Sequence, residues 1–190
     1  MNAIFIAARE VADFMTARRW KFCVIGGLAV QRWGEPRLTQ DADLTLLTGF
    51  ENEAFYVDAL MAHFSPRRED AREFALINRV LLLNAKNKVS VDISLAGLPY
   101  EEEVIASATP FAFADGTILP TCSADDLFVM KAFAARPRDW MDAEGIVARQ
   151  GERLDHDYIW TRLKDLSDAV YRPEILVAAR RVMEGKSWRK

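Results

Sequence analysis

Residues 23–47 read CVIGGLAVQRWGEPRLTQDADLTLL. An apolar run ends in Gly26-Gly27, thirteen residues separate Gly27 from Asp41, and an Asp-x-Asp follows inside a second apolar run. Phe22 to Ile25 predicts a short strand and Leu28 to Trp33 a short helix. Gly34-Glu35-Pro36 ends that helix, because proline cannot continue it. Asp41 to Leu47 predicts a second strand. Strand side chains alternate between faces, so Asp41 and Asp43 share one face while Ala42 and Leu44 enter the core from the other. Two carboxylates this close repel, and each tends to raise the pKa of its neighbour. A bound Mg²⁺ removes that penalty: it takes carboxylate oxygens, keeps several waters and fills its shell with substrate phosphates.

A third acid follows the same logic. In VSVDISL, residues 89–95, Val89, Val91, Ile93 and Leu95 alternate with Ser90, Asp92 and Ser94. Asp92 therefore sits mid-strand on a polar face. If that strand neighbours the first, three carboxylates converge. The turn at Gly26-Gly27 leaves backbone N–H groups open with no Cβ in the way, an arrangement that holds phosphate oxygens. A phosphate cradle and a carboxylate–metal cluster suit phosphoryl or nucleotidyl transfer, where positioning and charge neutralisation supply most of the catalysis. Each feature alone has a plainer reading, a simple turn or a solvated edge strand. Their joint order favours the catalytic one.

The rest of the chain frames these segments. Ile4, Ala8, Val11 and Met15 recur at helical spacing. Glu51 to Phe64 predicts a second amphipathic helix, with Phe55, Ala59 and Leu60 on one side. Phe74 to Asn78 predicts a strand, and Arg79–Asn84 with Val89–Leu95 a hairpin through residues 85–88. Ile118 and Leu119 predict a short edge strand. Ser123 is an expected N-cap with Asp126 three residues on, and helices dominate from there. The expectation is an α/β (α+β) core with a short mixed sheet over residues 1–120, then a helical part over 121–190.

Bulk composition excludes several classes. The chain has 190 residues, 51% hydrophobic and 28% charged, which suits a globular protein with a real core. A net charge of −3 demands no polyanionic partner. Arg18-Arg19, Arg67-Arg68, Arg180-Arg181 and the basic tail 186–190 each read singly as solvated surface. Cys23 and Cys122, neither in a Cys-x-x-Cys, argue against a zinc site or a disulfide framework, and Cys23 reads as a small hydrophobe. Arg9 and Glu10 interrupt the apolar N-terminal stretch, and no run reaches the length of a membrane span, so a cytoplasmic protein without a membrane partner is expected. His63 and His156 are isolated and read as packing or surface. The five tryptophans read mostly as core, with Trp188 in a frayed tail.

Gly-Gly, then Asp-x-Asp, then an acid on a later strand resembles the nucleotidyltransferase superfamily of the DNA polymerase β type. The run Arg37-x-Thr39-x-Asp41-x-Asp43-Leu44 resembles its minimal bacterial members, among them the AbiEii and MenT toxins. DLFVMKAFAARPRDWMDAEGI, ending at Ile146, resembles their helical motif: Lys131, then Arg138-Asp139 and Asp142. The matches cover residues 23–47, 89–95 and 125–146. Two departures stand out. Gly27 replaces a serine common in relatives, keeping the amide but losing a hydroxyl. Pro137 predicts a break between two helices, with Arg138 opening the second.

The resemblance implies a polymerase β-like nucleotidyltransferase fold and transfer from an NTP to a hydroxyl with release of pyrophosphate. Asp41, Asp43 and Asp92 would be the catalytic and metal residues, holding two Mg²⁺ ions, with Mn²⁺ as substitute. Gly26, Gly27, Arg37, Thr39, Lys131, Arg138, Asp139 and Asp142 would bind nucleotide. The implied acceptor is RNA, at a tRNA 3′ end, with a toxin role and an antitoxin protein as partner. Arg136, Arg138, Arg149, Arg153, Arg180, Arg181 and the tail would then form a salt-sensitive phosphate track. Two other functions are compatible with the residues: an aminoglycoside-type nucleotidyltransferase, and a non-catalytic nucleotide-binding regulatory module.

Overall fold

The computed structural model describes residues 3–189; Lys190, the end of the basic tail, lies outside them. The elements, in chain order, begin with α1 (Ala3–Ala17), β1 (Phe22–Val24), α2 (Gly26–Trp33), β2 (Asp41–Leu47) and α3 (Glu53–Met61). Then come β3 (Ser65–Pro66), α4 (Ala71–Asn78), β4 (Val80–Asn84), β5 (Ser90–Ala96), α5 (Pro99–Ala106), β6 (Thr109–Ala112) and β7 (Ile118–Thr121). The last are α6 (Ala124–Ala134), α7 (Pro137–Gln150), α8 (His156–Ala169) and α9 (Glu174–Met183). No helix among the described residues is long and apolar enough to cross a membrane. The chain forms two compact units, Met1–Leu28 with Leu38–Cys122, and Ala29–Arg37 with Ser123–Lys190.

The first unit is built on a mixed sheet in the order β3-β4-β5-β2-β1-β7-β6. β2 and β5 run parallel, and β1 lies antiparallel to β2 on its other side. One face of the sheet carries Ala42, Leu44, Leu46, Leu81, Leu83, Val91, Ile93 and Leu95, all buried in a core that Ile4, Ala8, Val11 and Met15 of α1 complete. At roughly 25 cal/mol per Å² of apolar surface, this face supplies much of the unit's stability. The period-two pattern leaves the other face polar, with Asp41 and Asp43 on β2 and Asp92 on β5. Toward the far end of that face Thr45 is buried, and opposite it on β1 Cys23 packs as a small hydrophobe against the α5 carbonyl of Val104.

Several elements differ from the sequence expectation. Phe74–Asn78 belongs to helix α4, not to a strand. Ala71 and Ala75, one turn apart, are its buried positions, while Ile77 stays 71% exposed. In α3 the buried side chains are Val57 and Leu60, and Phe55 is exposed. Ile118–Leu119 begins β7, which is not an edge: β6, a hairpin partner that sequence reading missed, covers it. β4 and β5 form the expected hairpin, and its register sets Leu82 opposite Asp92.

In the second unit Ser123 caps α6, its hydroxyl oxygen accepting the Asp126 N–H at 3.0 Å. Asp126 is itself buried and accepts from the Ser123 and Tyr158 hydroxyls, which fixes α8 against α6. Ala135 ends α6 in a left-handed conformation, and Pro137 opens α7, the position where its missing N–H costs least. Gln150 Nε2 donates to the Trp33 carbonyl at 2.7 Å, holding the segment before Arg37 to α7. Of the five tryptophans only Trp140 is fully buried; Trp188 does not fray but stacks on it at 6.2 Å.

Candidate active site

Parallel pairing puts Asp43 directly beside Asp92 and Asp41 beside Ser90. Three half-buried carboxylates, Asp41, Asp43 and Asp92, thus offer one oxygen each within 4.8 Å of the others. Such a set fits a divalent cation. The oxygens are hard, close and aimed from two adjacent strands, and without a cation their charges repel. Burial pushes the Asp92 carboxyl above its ordinary range; Asp41 adds to the rise, and the Arg67 charge opposes it.

The glycine turn is tied to this cluster. Ile25 N–H donates to the Asp43 carbonyl at 3.0 Å, which carries the chain from β1 straight to the carboxylates. Gly26 has φ +60°, and a Cβ there would fall 2.0 Å from Asp43 Oδ2. A Cβ on Gly27 would fall 2.5 Å from the Thr39 hydroxyl oxygen. Both positions therefore require glycine for close approach. The expectation of open amides needs correction at Gly27, whose N–H donates to Asp43 Oδ2 at 3.2 Å. Thr39 donates toward Asp41, 3.1 Å from Oδ1, and so orients a member of the cluster.

The second unit holds a different arrangement. Arg37 forms a fork on Asp142, Nε to Oδ1 at 2.6 Å and Nη2 to Oδ2 at 2.8 Å. Lys131 Nζ lies 2.8 Å from Asp142 Oδ2 and 3.0 Å from Asp139 Oδ1. Lys131, Asp139 and Asp142 are all buried. Burial acts to raise the Asp142 pKa, but the hydrogen bonds and charges of Arg37 and Lys131 outweigh it and hold the carboxyl below its ordinary range. Asp139 Oδ2 has no hydrogen-bond partner among the described residues. Arg138 is exposed.

Sequence reasoning missed one residue of the first cluster. Arg67, taken with Arg68 as solvated surface, pairs with Asp92. Nothing in the sequence marks it, because the contact depends on β3, a strand of only two residues. The proposed phosphate track also changes. Arg149 donates to the Gly34 carbonyl, Arg153 to the Arg149 carbonyl, and Arg181 to the Ser187 and Arg189 carbonyls, while Arg180 lies over the Trp160 ring. These side chains serve the helical unit itself.

No protein-family model matches the chain, and no curated protein matches its sequence. Solved structures do match. The antibiotic-resistance factor ANT(2″)-Ia superposes with a TM-score of 0.52 at 16% identity, over 90% of this chain and 93% of its own. An antigenic nucleotidyltransferase-like protein from Paracoccidioides brasiliensis gives 0.53 at 12% identity, over 97% and 93%. The lincosamide antibiotic adenylyltransferase LnuA, solved with lincomycin, gives 0.52 at 9% identity, over 77% and 96%. At these identities the likeness establishes the fold: a mixed α/β nucleotidyltransferase fold.

Proposed function

We propose that the chain transfers a nucleotidyl group from an NTP to a hydroxyl acceptor and releases pyrophosphate. The observation that carries this is the convergence of Asp41, Asp43 and Asp92 on a nucleotidyltransferase fold. Asp41, Asp43 and Asp92 would hold divalent cations, two Mg²⁺ or Mn²⁺ on this reading, which would supply charge neutralisation at the phosphates and a more acidic acceptor hydroxyl. Asp41 and Asp43 would hold the cations together, and Asp92 would complete the site toward the acceptor hydroxyl. The acceptor oxygen bonds to the α-phosphorus, the bond to the bridging oxygen breaks, and the pyrophosphate takes the electron pair. The hydroxyl proton passes to solvent water on the Asp92 side. Gly26 and Gly27 supply the close backbone approach to the triphosphate. Thr39 keeps Asp41 turned toward the cluster. For Arg37, Lys131, Arg138, Asp139 and Asp142 we keep nucleotide binding as the assignment carried by the toxin-type motif; Lys131→Ala then raises the KM for NTP.

RNA, at a tRNA 3′ end, is the acceptor that the motif supports, and a toxin role with an antitoxin partner belongs to that reading. A small hydroxylated molecule is the second acceptor. Two observations favour it: the engaged arginines of the helical unit, and the lincomycin bound to LnuA and adenylyl-2″-tobramycin bound to ANT(2″)-Ia in their structures. Incubation with each α-labelled NTP, Mg²⁺, and either tRNA or an aminoglycoside panel decides between them. Label appears on one acceptor class, and Asp41→Asn or Asp43→Asn lowers it by roughly a thousandfold. Near-native turnover in a folded Asp41→Asn protein contradicts the assignment.

A further inference from the structure

We propose that Arg67 is a built-in counter-ion for the third carboxylate: it holds Asp92 while the cation site is vacant and is displaced when a divalent cation takes that carboxylate. The inference rests on the carboxylate cluster being the cation site. The geometry is local to the sheet. Arg67 follows the two-residue strand β3, and its N–H donates to the Leu82 carbonyl at 3.0 Å. Leu82 stands directly opposite Asp92 across the β4–β5 ladder, so the two share the polar face. The Arg67 side chain reaches over β4 on that face and its Nη2 donates to Asp92 Oδ1. Adjacent strands lie about 4.8 Å apart, a span that a long arginine covers and a shorter residue does not.

Charge and exposure decide what such a pair can do. The two side chains keep 26% and 29% of their surface exposed. Ion pairs this open add little to stability, so the contact breaks easily once a better partner arrives. A divalent cation is that partner, since it carries twice the charge and binds Asp41 and Asp43 at the same time. Three carboxylates without any cation would be a repelling cluster; with Arg67 on Asp92 the resident negative charge falls by one. The same guanidinium opposes entry of a second positive charge. Arg67 is therefore a positioning residue that raises the cation concentration needed to fill the Asp92 side. It links full occupancy to the arrival of substrate phosphates, which bring the missing negative charge.

The test is Mn²⁺ binding to the full chain without substrate, followed by electron paramagnetic resonance of free Mn²⁺. Arg67→Gln binds Mn²⁺ about tenfold more tightly than the wild type, the size expected from removing one unit charge a few ångströms from a divalent ion. Arg67→Lys, which keeps the charge, stays near the wild type. In an Asp92→Asn background Arg67→Gln gives a smaller gain, because competition for the carboxylate is gone and only the through-space repulsion of the guanidinium remains. Far-UV circular dichroism confirms that each variant is folded. Equal affinity of wild type and folded Arg67→Gln overturns the proposal, as does an undiminished gain in the Asp92→Asn background. If Asp41→Asn binds Mn²⁺ as tightly as the wild type, or the wild type binds none, the cation-site reading itself falls and takes the proposal with it. Intact binding through Asp41 with no Arg67 effect removes the proposal alone.

Discussion

The two charged clusters of this protein are built on opposite principles. In the helical unit, two carboxylates, Asp139 and Asp142, meet two cations, Lys131 and Arg37, in a largely buried network. In the sheet, three half-buried carboxylates converge, and Arg67 pairs with one of them, Asp92. In the buried network the two carboxylates are matched in number by the two cations, so removing either partner strands a charge. An open cluster of converging carboxylates carries a standing repulsion. It is the arrangement expected where a cation and a polyanionic substrate complete the charge count.

Breaking the balanced cluster gives the largest expected effect on stability. Asp142→Ala leaves Lys131 and Arg37 without their shared acceptor and costs about 3 kcal/mol, the lower range for stranding buried charges, since Arg37 keeps some solvent contact. Urea denaturation of the wild type and variant measures it; a cost below about 1 kcal/mol contradicts the description of this network. Gly26→Ala acts next. It forces a left-handed φ on alanine, which costs roughly 1–2 kcal/mol, and drives its Cβ into Asp43. The expected result is a modest loss in denaturation midpoint together with loss of transfer; an active, unshifted Gly26→Ala protein refutes the close approach.

What the sequence showed and hid divides along the same line. The sheet cluster was legible because alternation is a local pattern. DADLTLL and VSVDISL each place their acids on a polar face with no knowledge of the rest of the fold, and the structure adds only that the strands are neighbours. The fork of Arg37 on Asp142 spans a sequence separation of 105 residues, and no local pattern announces it. Arg67 was hidden for a related reason, as its contact depends on where a two-residue strand joins the sheet edge. Helix α4 was misread because the apolar run Phe74–Ile77 is too short to show its period. Its buried positions are two alanines, which give a weak apolar signal. Gly26-Gly27 was legible as a turn, but its engagement with Asp43 was not.

Acid titration separates the clusters by the sign of the effect. Asp142 has a lowered folded pKa, so its contribution is present above the unfolded carboxyl pKa near about 3.9 and is lost as pH falls through the folded value. Asp92 has a raised folded pKa, so the folded state binds its proton more tightly. Its contribution is present at acid pH and is lost as pH rises from about 3.9 through the folded value. Asp142→Asn therefore shallows the acid limb of the stability profile below about pH 3.9, and Asp92→Asn steepens the net rise above about pH 3.9. Denaturation midpoints on both sides of that pH check both; slopes changed in the same direction contradict the opposite assignments.

The central claim is that the sheet carboxylates converge to hold a cation. Thermal melts with and without Mg²⁺ test it most directly, on the wild type and on a protein carrying both Asp41→Asn and Asp43→Asn. Without Mg²⁺, the double variant melts at or above the wild type, because repulsion has been removed. With Mg²⁺ at 100 times its Kd, the wild type gains roughly 2.7 kcal/mol of stability and the variant gains nothing. Equal Mg²⁺ gains in both proteins, or a double variant less stable than the wild type before any Mg²⁺ is added, would contradict the claim.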